Sequence, residues 1–128
     1  MSGVVLDSGA VSRLAERSTM AVARITALRE VGMWPPVVPS PVLVESLAGH
    51  AGCDANANRF LKMCLVEEQV SVAIARRAAA LRARARRGSA VDAIVVAMAE
   101  SDGIVLTQDL TDLRALAARA DGVAVQQI

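Results

Sequence analysis

Residues 89–109 read SAVDAIVVAMAESDGIVLTQD, and this stretch decides the fold class. Ser89 is a typical helix N-cap, and the apolar run behind it predicts a buried helix over 90–100. Asp102-Gly103 ends that helix, and the apolar residues 104–106 predict a short buried strand. A buried helix that leads directly into a buried strand is typical of α/β proteins with a parallel sheet.

The same alternation extends over the whole chain of 128 residues. Apolar runs predict further strands at about 4–6, 37–38, 66–70 and 123–126. Caps and helical periodicity predict helices at about 8–16, 19–31, 41–48, 55–64, 72–86 and 110–120, with Asp54 as a possible cap of the fourth. We therefore expect one α/β domain over 1–128, a short parallel sheet with helices on both faces and a ligand site at the carboxyl edge of the strands.

Composition excludes some classes of protein. The net charge is +1, and Lys62 is the only lysine among 14 basic residues. A high arginine share suits binding to RNA or to an acidic partner, although GC-rich coding would give the same bias. Cys53 and Cys64 lack the spacing of a zinc or redox site. No signal peptide or membrane span is predicted, because the apolar runs are short, so we expect a cytoplasmic protein.

Five acidic residues are expected at one edge of the sheet. Asp7 and Asp109 follow predicted strands, and Asp92 lies in the first turn of a helix that begins at the same edge. Glu45 lies early on the helix after the second strand, and Asp112 lies one turn beyond Asp109. Each also has a structural interpretation, as a helix cap, as half of the Ser89-x-x-Asp92 capping box, or as a favourable charge at a helix N-terminus.

Convergence of these acids would point to a metal site. Two carboxylates about 4 Å apart repel by about 4 kcal/mol at an effective dielectric near 20, so several require a cation. Oxygen ligands suit Mg²⁺ or Mn²⁺, which can activate water and stabilise charge on a phosphoryl oxygen. Glu45 and Asp92 also interrupt apolar stretches, where burial of an unpaired carboxylate is unfavourable. The acids therefore predict metal-assisted hydrolysis of phosphodiesters.

Four motifs together resemble the PIN-domain ribonucleases, over essentially the whole chain. They are Asp7-Ser8-Gly9-Ala10 after a strand, Glu45 in 44–47, Asp92 in 92–97, and Thr-Gln-Asp-Leu-Thr-Asp-Leu over 107–113. Their order, together with the length of the chain, is most similar to the VapC-type toxins of bacterial toxin–antitoxin pairs. Each motif alone is weak, whereas the four in order are fairly specific.

The resemblance implies a function and a set of site residues. Asp7, Glu45, Asp92 and Asp109 would be catalytic and would hold one or two Mg²⁺ or Mn²⁺ ions, with Asp112 assisting. Ser8 and Thr107 would support them by hydrogen bonds. The chain would be an endoribonuclease that acts as a toxin, assembles as a homodimer or larger complex, and is inhibited by a cognate antitoxin protein.

Arginines concentrate on the helix predicted over 72–86. One side of this helix carries Arg76, Arg77, Arg84 and Arg87. Two interpretations fit this side about equally well: it contacts RNA phosphates or antitoxin acids, or it is only a solvated face of an amphipathic helix. The opposite side is apolar and carries Ile74, Ala78, Leu81 and Ala85.

Other α/β classes fit less well. A haloacid dehalogenase-like phosphatase needs an Asp where Gly9 stands, and a phospho-receiver needs a late Lys, whereas Lys62 is in mid-chain. A nucleotide-binding fold needs a Gly-rich loop after a strand, which this sequence lacks. A PIN-fold protein with a binding-only role, or an RNA-processing role without an antitoxin, stays open.

Overall fold

The structure is a computed structural model, and it describes residues 3–128. The strands are β1 (Val4–Leu6), β2 (Val37–Pro39), β3 (Leu65–Glu67), β4 (Ile104–Thr107) and β5 (Ala124–Gln127). The helices are α1 (Ser8–Ala15), α2 (Thr19–Glu30), α3 (Ser40–Ser46), α4 (Ala55–Leu61), α5 (Val72–Ala85), α6 (Ala90–Ala99) and α7 (Leu110–Ala117). Every predicted helix and strand is present with the predicted type.

The strands form one parallel sheet in the order β3-β2-β1-β4-β5. Helix α1 packs against α2, α3 and α4, whereas α5, α6 and α7 pack against one another. Right-handed crossovers account for this division, because connections that run in opposite directions along the sheet lie on opposite faces. The predicted fold class, a short parallel sheet with helices on both faces, is confirmed.

The core lies on both faces of the central strand. All three residues of β1 are buried, and Val95 and Val96 of α6 are fully buried opposite the helices of the other layer. Each buried Val or Leu side chain contributes about 1.5–3 kcal/mol relative to its exposed state. The apolar run of α6 is therefore explained by burial, and it holds the N-terminus of that helix in a fixed place relative to β1.

Two details differ from the expectation. Strand β3 covers Leu65–Glu67 rather than 66–70, because its bounds follow its pairing with β2 and not its apolar residues. Asp54 stands before α4, but its side chain does not cap that helix. Its carboxylate instead accepts the backbone N–H groups of Ala48 and Gly49, both at 2.8 Å, and so fixes the chain that leaves α3.

Several helices end earlier than predicted: α3 at Ser46, α4 at Leu61 and α7 at Ala117. Within residues 3–128 no helix combines the length and the apolar character that a membrane span requires.

Candidate active site at the carboxyl edge of the sheet

The direction in which successive strands are added to the sheet reverses between β1 and β4. From β1 the chain moves outward through β2 to β3, and it then returns to pair β4 with the other side of β1. In open parallel sheets, such a switch point leaves a crevice at the carboxyl ends of the two strands, where ligands bind. Asp7 follows β1 directly, and Thr107 ends β4, so both lie at the carboxyl edge of the sheet at this switch point.

Asp7 is buried, with 7% of its surface exposed, and both of its carboxylate oxygens are bonded. Oδ1 accepts the N–H of Ala10 at 2.8 Å, which makes Asp7 the N-cap of α1. Oδ2 accepts the hydroxyl of Thr107, which is fully buried. Thr107 and Ala10 thus supply the hydrogen bonds to the Asp7 carboxylate, whereas Ser8 is the first residue of α1.

The pKa of the Asp7 carboxyl is raised above its usual range. Burial is the main cause, and the negative charges of Asp92 and Asp109 add to it. The hydrogen bonds from Thr107 and Ala10 oppose the shift because they stabilise the carboxylate. Three of the predicted acids therefore interact electrostatically at the switch point.

Asp92 occupies the first turn of α6, where it completes a capping box. Its Oδ2 accepts the N–H of Ser89 at 3.1 Å, and its own N–H donates to the Ser89 hydroxyl at 3.0 Å. The side chain is partly buried. The second carboxylate oxygen, Oδ1, takes no part in the cap. Asp92 therefore caps α6 and also acts through its charge on Asp7.

Asp109 is exposed and is the N-cap of α7. Its Oδ1 accepts the N–H of Thr111 at 3.1 Å. Its backbone N–H donates to the Thr107 hydroxyl oxygen at 2.9 Å, so Thr107 connects Asp7 to the start of α7. Its Oδ2 takes no part in the cap.

Glu45 and Asp112 are placed differently. Glu45 is exposed on α3, so the apolar residues around it in the sequence do not bury it. Asp112 accepts a bond at 3.0 Å from Nε of Arg87. Over residues 3–128, no group of three or more His, Cys, Asp or Glu side chains is gathered closely enough to hold a metal ion.

Three of these acids nevertheless offer the type of donor atom that a hard divalent cation prefers. Asp7, Asp92 and Asp109 offer only oxygen atoms, and Asp92 Oδ1 and Asp109 Oδ2 are not used in the helix caps. Mutual repulsion keeps such carboxylates apart when no cation lies between them.

The arginines of α5 fall into two groups. Arg77 makes a two-pronged ion pair with Glu100, with both N···O distances 2.7 Å, and Glu100 also accepts the N–H of Asp121. Arg76 and Arg84 are exposed on the helix. Helix α5 ends at Ala85, so Arg87 lies beyond it in the turn to α6. The apolar side predicted for α5 is confirmed, since Ala78 and Leu81 are buried.

Sequence reasoning missed several partnerships, among them the Arg77–Glu100 ion pair and the two described next. The Arg87–Asp112 ion pair joins residues 25 positions apart, a separation with no local periodicity to reveal it. Ala48 and Gly49, whose N–H groups bond the Asp54 carboxylate, precede Asp54 in the chain, whereas a helix N-cap accepts N–H groups of residues that follow it.

No described protein family matches the chain, and no curated protein matches its sequence. The structure does match solved structures. One is the crystal structure of the protein PAE2754 from Pyrobaculum aerophilum, which is 18% identical in sequence, with a TM-score of 0.61. The match covers 97% of this chain and 89% of that one. A likeness at this level of identity shows the shared fold of the two chains.

Proposed function

We propose that this protein is a metal-dependent endoribonuclease of the PIN type that acts as the toxin of a toxin–antitoxin pair. The observation that carries the proposal is the burial of Asp7 at the switch point, which raises the pKa of its carboxyl, with a smaller contribution from the charges of Asp92 and Asp109. A buried carboxyl with a perturbed pKa at the carboxyl edge of a parallel sheet is typical of functional sites. The toxin role rests on the order of the four motifs.

Asp7, Asp92 and Asp109 would hold Mg²⁺ or Mn²⁺, and Glu45 would approach from α3. When bound, the ion supplies an activated water and neutralises charge on the phosphate. Thr107 holds the Asp7 carboxylate in one orientation through its hydroxyl, and Ala10 fixes the other oxygen. Burial keeps water away from Asp7, which strengthens its interaction with any nearby cation.

The test is cleavage of labelled RNA by the purified protein, with Mg²⁺ or Mn²⁺ against EDTA. We expect metal-dependent cuts that leave 5′-phosphates, and we expect Asp7→Asn and Asp92→Asn to abolish them. The matched control is Glu16→Gln, which removes an exposed carboxylate at the opposite end of α1 from Asp7. Circular dichroism must show that all variants keep the fold.

Two results would overturn the proposal. Cleavage that persists in EDTA or in both Asn variants would place the activity elsewhere or in a contaminant. A folded protein that binds RNA but cuts none under either metal would be a binding-only protein of the same fold.

A further inference from the structure

The C-terminal end of α5 carries a compact group of positive charges. Arg84, Arg86 and Arg87 lie within four residues and are all exposed; we call these three residues the arginine turn. Asp112 bonds Nε of Arg87, whose side chain remains 56% exposed. Within residues 3–128, Arg84 and Arg86 take part in no ion pair.

The backbone holds the arginine turn in a fixed shape. Arg86 adopts a left-handed conformation, and its N–H donates to the carbonyl of Arg82. Nε of Arg82 donates to the carbonyl of Gly88 at 3.2 Å, which closes the turn from the other side. The positive charges are therefore presented by a preformed element, so little conformational entropy is lost when a ligand binds.

Gly88, which directly follows the arginine turn, lies next to Asp92 of the candidate active site. Gly88 packs so closely on α6 and α7 that an added Cβ would lie 3.6 Å from Cβ of Asp92 and 2.6 Å from a methyl carbon of Leu116. The ion pair with Asp112, in the first turn of α7, fixes Arg87 on the same side. A polyanion that approaches Asp92 is repelled by the acids and needs cations beside them.

We infer that the arginine turn binds the phosphate backbone of RNA and guides the strand past Asp92. The inference rests on the proposed nuclease function and assigns its substrate-binding element. Arginine donates several N–H groups to phosphate oxygens, and such contacts position a strand without reading its sequence. It also gives Asp112 a role as the residue that holds Arg87 in place, rather than as a metal ligand.

The test measures RNA binding separately from cleavage. The Asp7→Asn protein is titrated into a fluorescently labelled single-stranded RNA in EDTA, and anisotropy is followed over a series of NaCl concentrations. Arg84→Gln, Arg86→Gln and Arg87→Gln are each made in this background. Each should weaken binding at low salt and reduce the slope of log affinity against log salt by about 0.7 for each lost phosphate contact on a single strand.

The matched control is Arg59→Gln, since Arg59 is an exposed arginine on α4 in the other helix layer. Its affinity and salt slope should equal those of the parent. The inference is overturned if the three variants bind RNA like the parent, or if Arg59→Gln loses as much. It is also overturned if the variants lose binding to poly-glutamate but not to RNA, since the turn would then recognise an acidic protein. The experiment does not measure cleavage. RNA binding by the arginine turn can therefore be confirmed in a protein without nuclease activity, and it can be refuted in an active nuclease.

Discussion

Asp7 performs two tasks with one carboxylate. It caps α1 through Oδ1 and meets the Thr107 hydroxyl through Oδ2, and it is also the buried acid at the switch point. The structural and the functional interpretations of this residue are therefore not exclusive. Its raised pKa shows that burial and the neighbouring charges outweigh the two hydrogen bonds that favour the ionised form.

Asp7→Asn should not destabilise the metal-free protein at neutral pH. The amide oxygen can accept from Ala10, and the amide N–H can donate to Thr107, whose hydrogen can turn to the Asp109 carbonyl 3.2 Å away. Because the folded pKa of Asp7 lies above its unfolded value of 3.8, the ionised group destabilises the fold at neutral pH. That penalty disappears as the pH falls through the folded pKa towards 3.8.

Urea unfolding in EDTA at several pH values checks this expectation. Relative to Asp7→Asn, the wild type should gain stability as the pH falls over that window. Glu16→Gln serves as the control, and its difference from the wild type should show no matching gain. A wild type that loses stability relative to Asp7→Asn on acidification would contradict the assigned cause.

The connection between α5 and α6 illustrates what happens at the scale of an element. A helix formed by 72–86 was expected to end at Gly88, but α5 ends one residue earlier than that range, at Ala85. Arg86 takes a left-handed conformation with a φ of 54°, and Gly88 follows with a φ of 88°. Two left-handed residues in close succession reverse the chain sharply, and this brings Ser89 into place as the cap of α6.

Gly88→Ala should lower the free energy of unfolding by about 1–3 kcal/mol, because a left-handed backbone and a crowded Cβ both oppose a side chain there. The close neighbour is the Leu116 side chain, at 2.6 Å from the added atom. Gly52→Ala is the matched control, since a Cβ at Gly52 would meet nothing within 4 Å. Urea unfolding should show a change within about 0.5 kcal/mol for it. Equal effects of the two substitutions would mean that Gly88 is not constrained by its contact.

The site as a whole is a product of topology. Asp7, Asp92 and Asp109 stand at the starts of α1, α6 and α7, and the parallel sheet places all three starts at the carboxyl edge on either side of β1 and β4. These helices belong to opposite layers, with α1 on one face of the sheet and α6 and α7 on the other. Glu45 and Asp112 come from the same edge, but the structure leaves one exposed and pairs the other with Arg87.

Mn²⁺ or Mg²⁺ should raise the melting temperature of the wild-type protein, because an ion bound only by the folded state stabilises it. At a concentration one hundred times the Kd the gain is about 2.7 kcal/mol. Asp7→Asn should lose most of this gain, whereas Asp112→Asn should keep it, since Asp112 bonds Arg87. Differential scanning fluorimetry with each metal against EDTA measures the shift, and NaCl at equal ionic strength controls for screening. Loss of the shift in Asp112→Asn would make Asp112 a ligand and contradict the role assigned to it.

The fold class, the type and order of every helix and strand, and the positions of Asp7, Asp92 and Asp109 at helix starts could all be predicted from the amino-acid sequence. These features depend on local information: apolar period, caps and turn residues act within a few positions of one another. The capping box of Ser89 and Asp92 was predictable for the same reason.

Contacts between residues far apart in the chain could not be predicted in this way. Strand β3 is defined by its pairing with β2, Thr107 reaches Asp7 across the sheet, and Arg87 pairs with Asp112 on a different helix. The exposure of Glu45 likewise depends on how α3 packs, and not on the apolar residues beside it in the chain. Burial and long-range hydrogen bonds arise from the packing of elements far apart in sequence, so no local pattern encodes them.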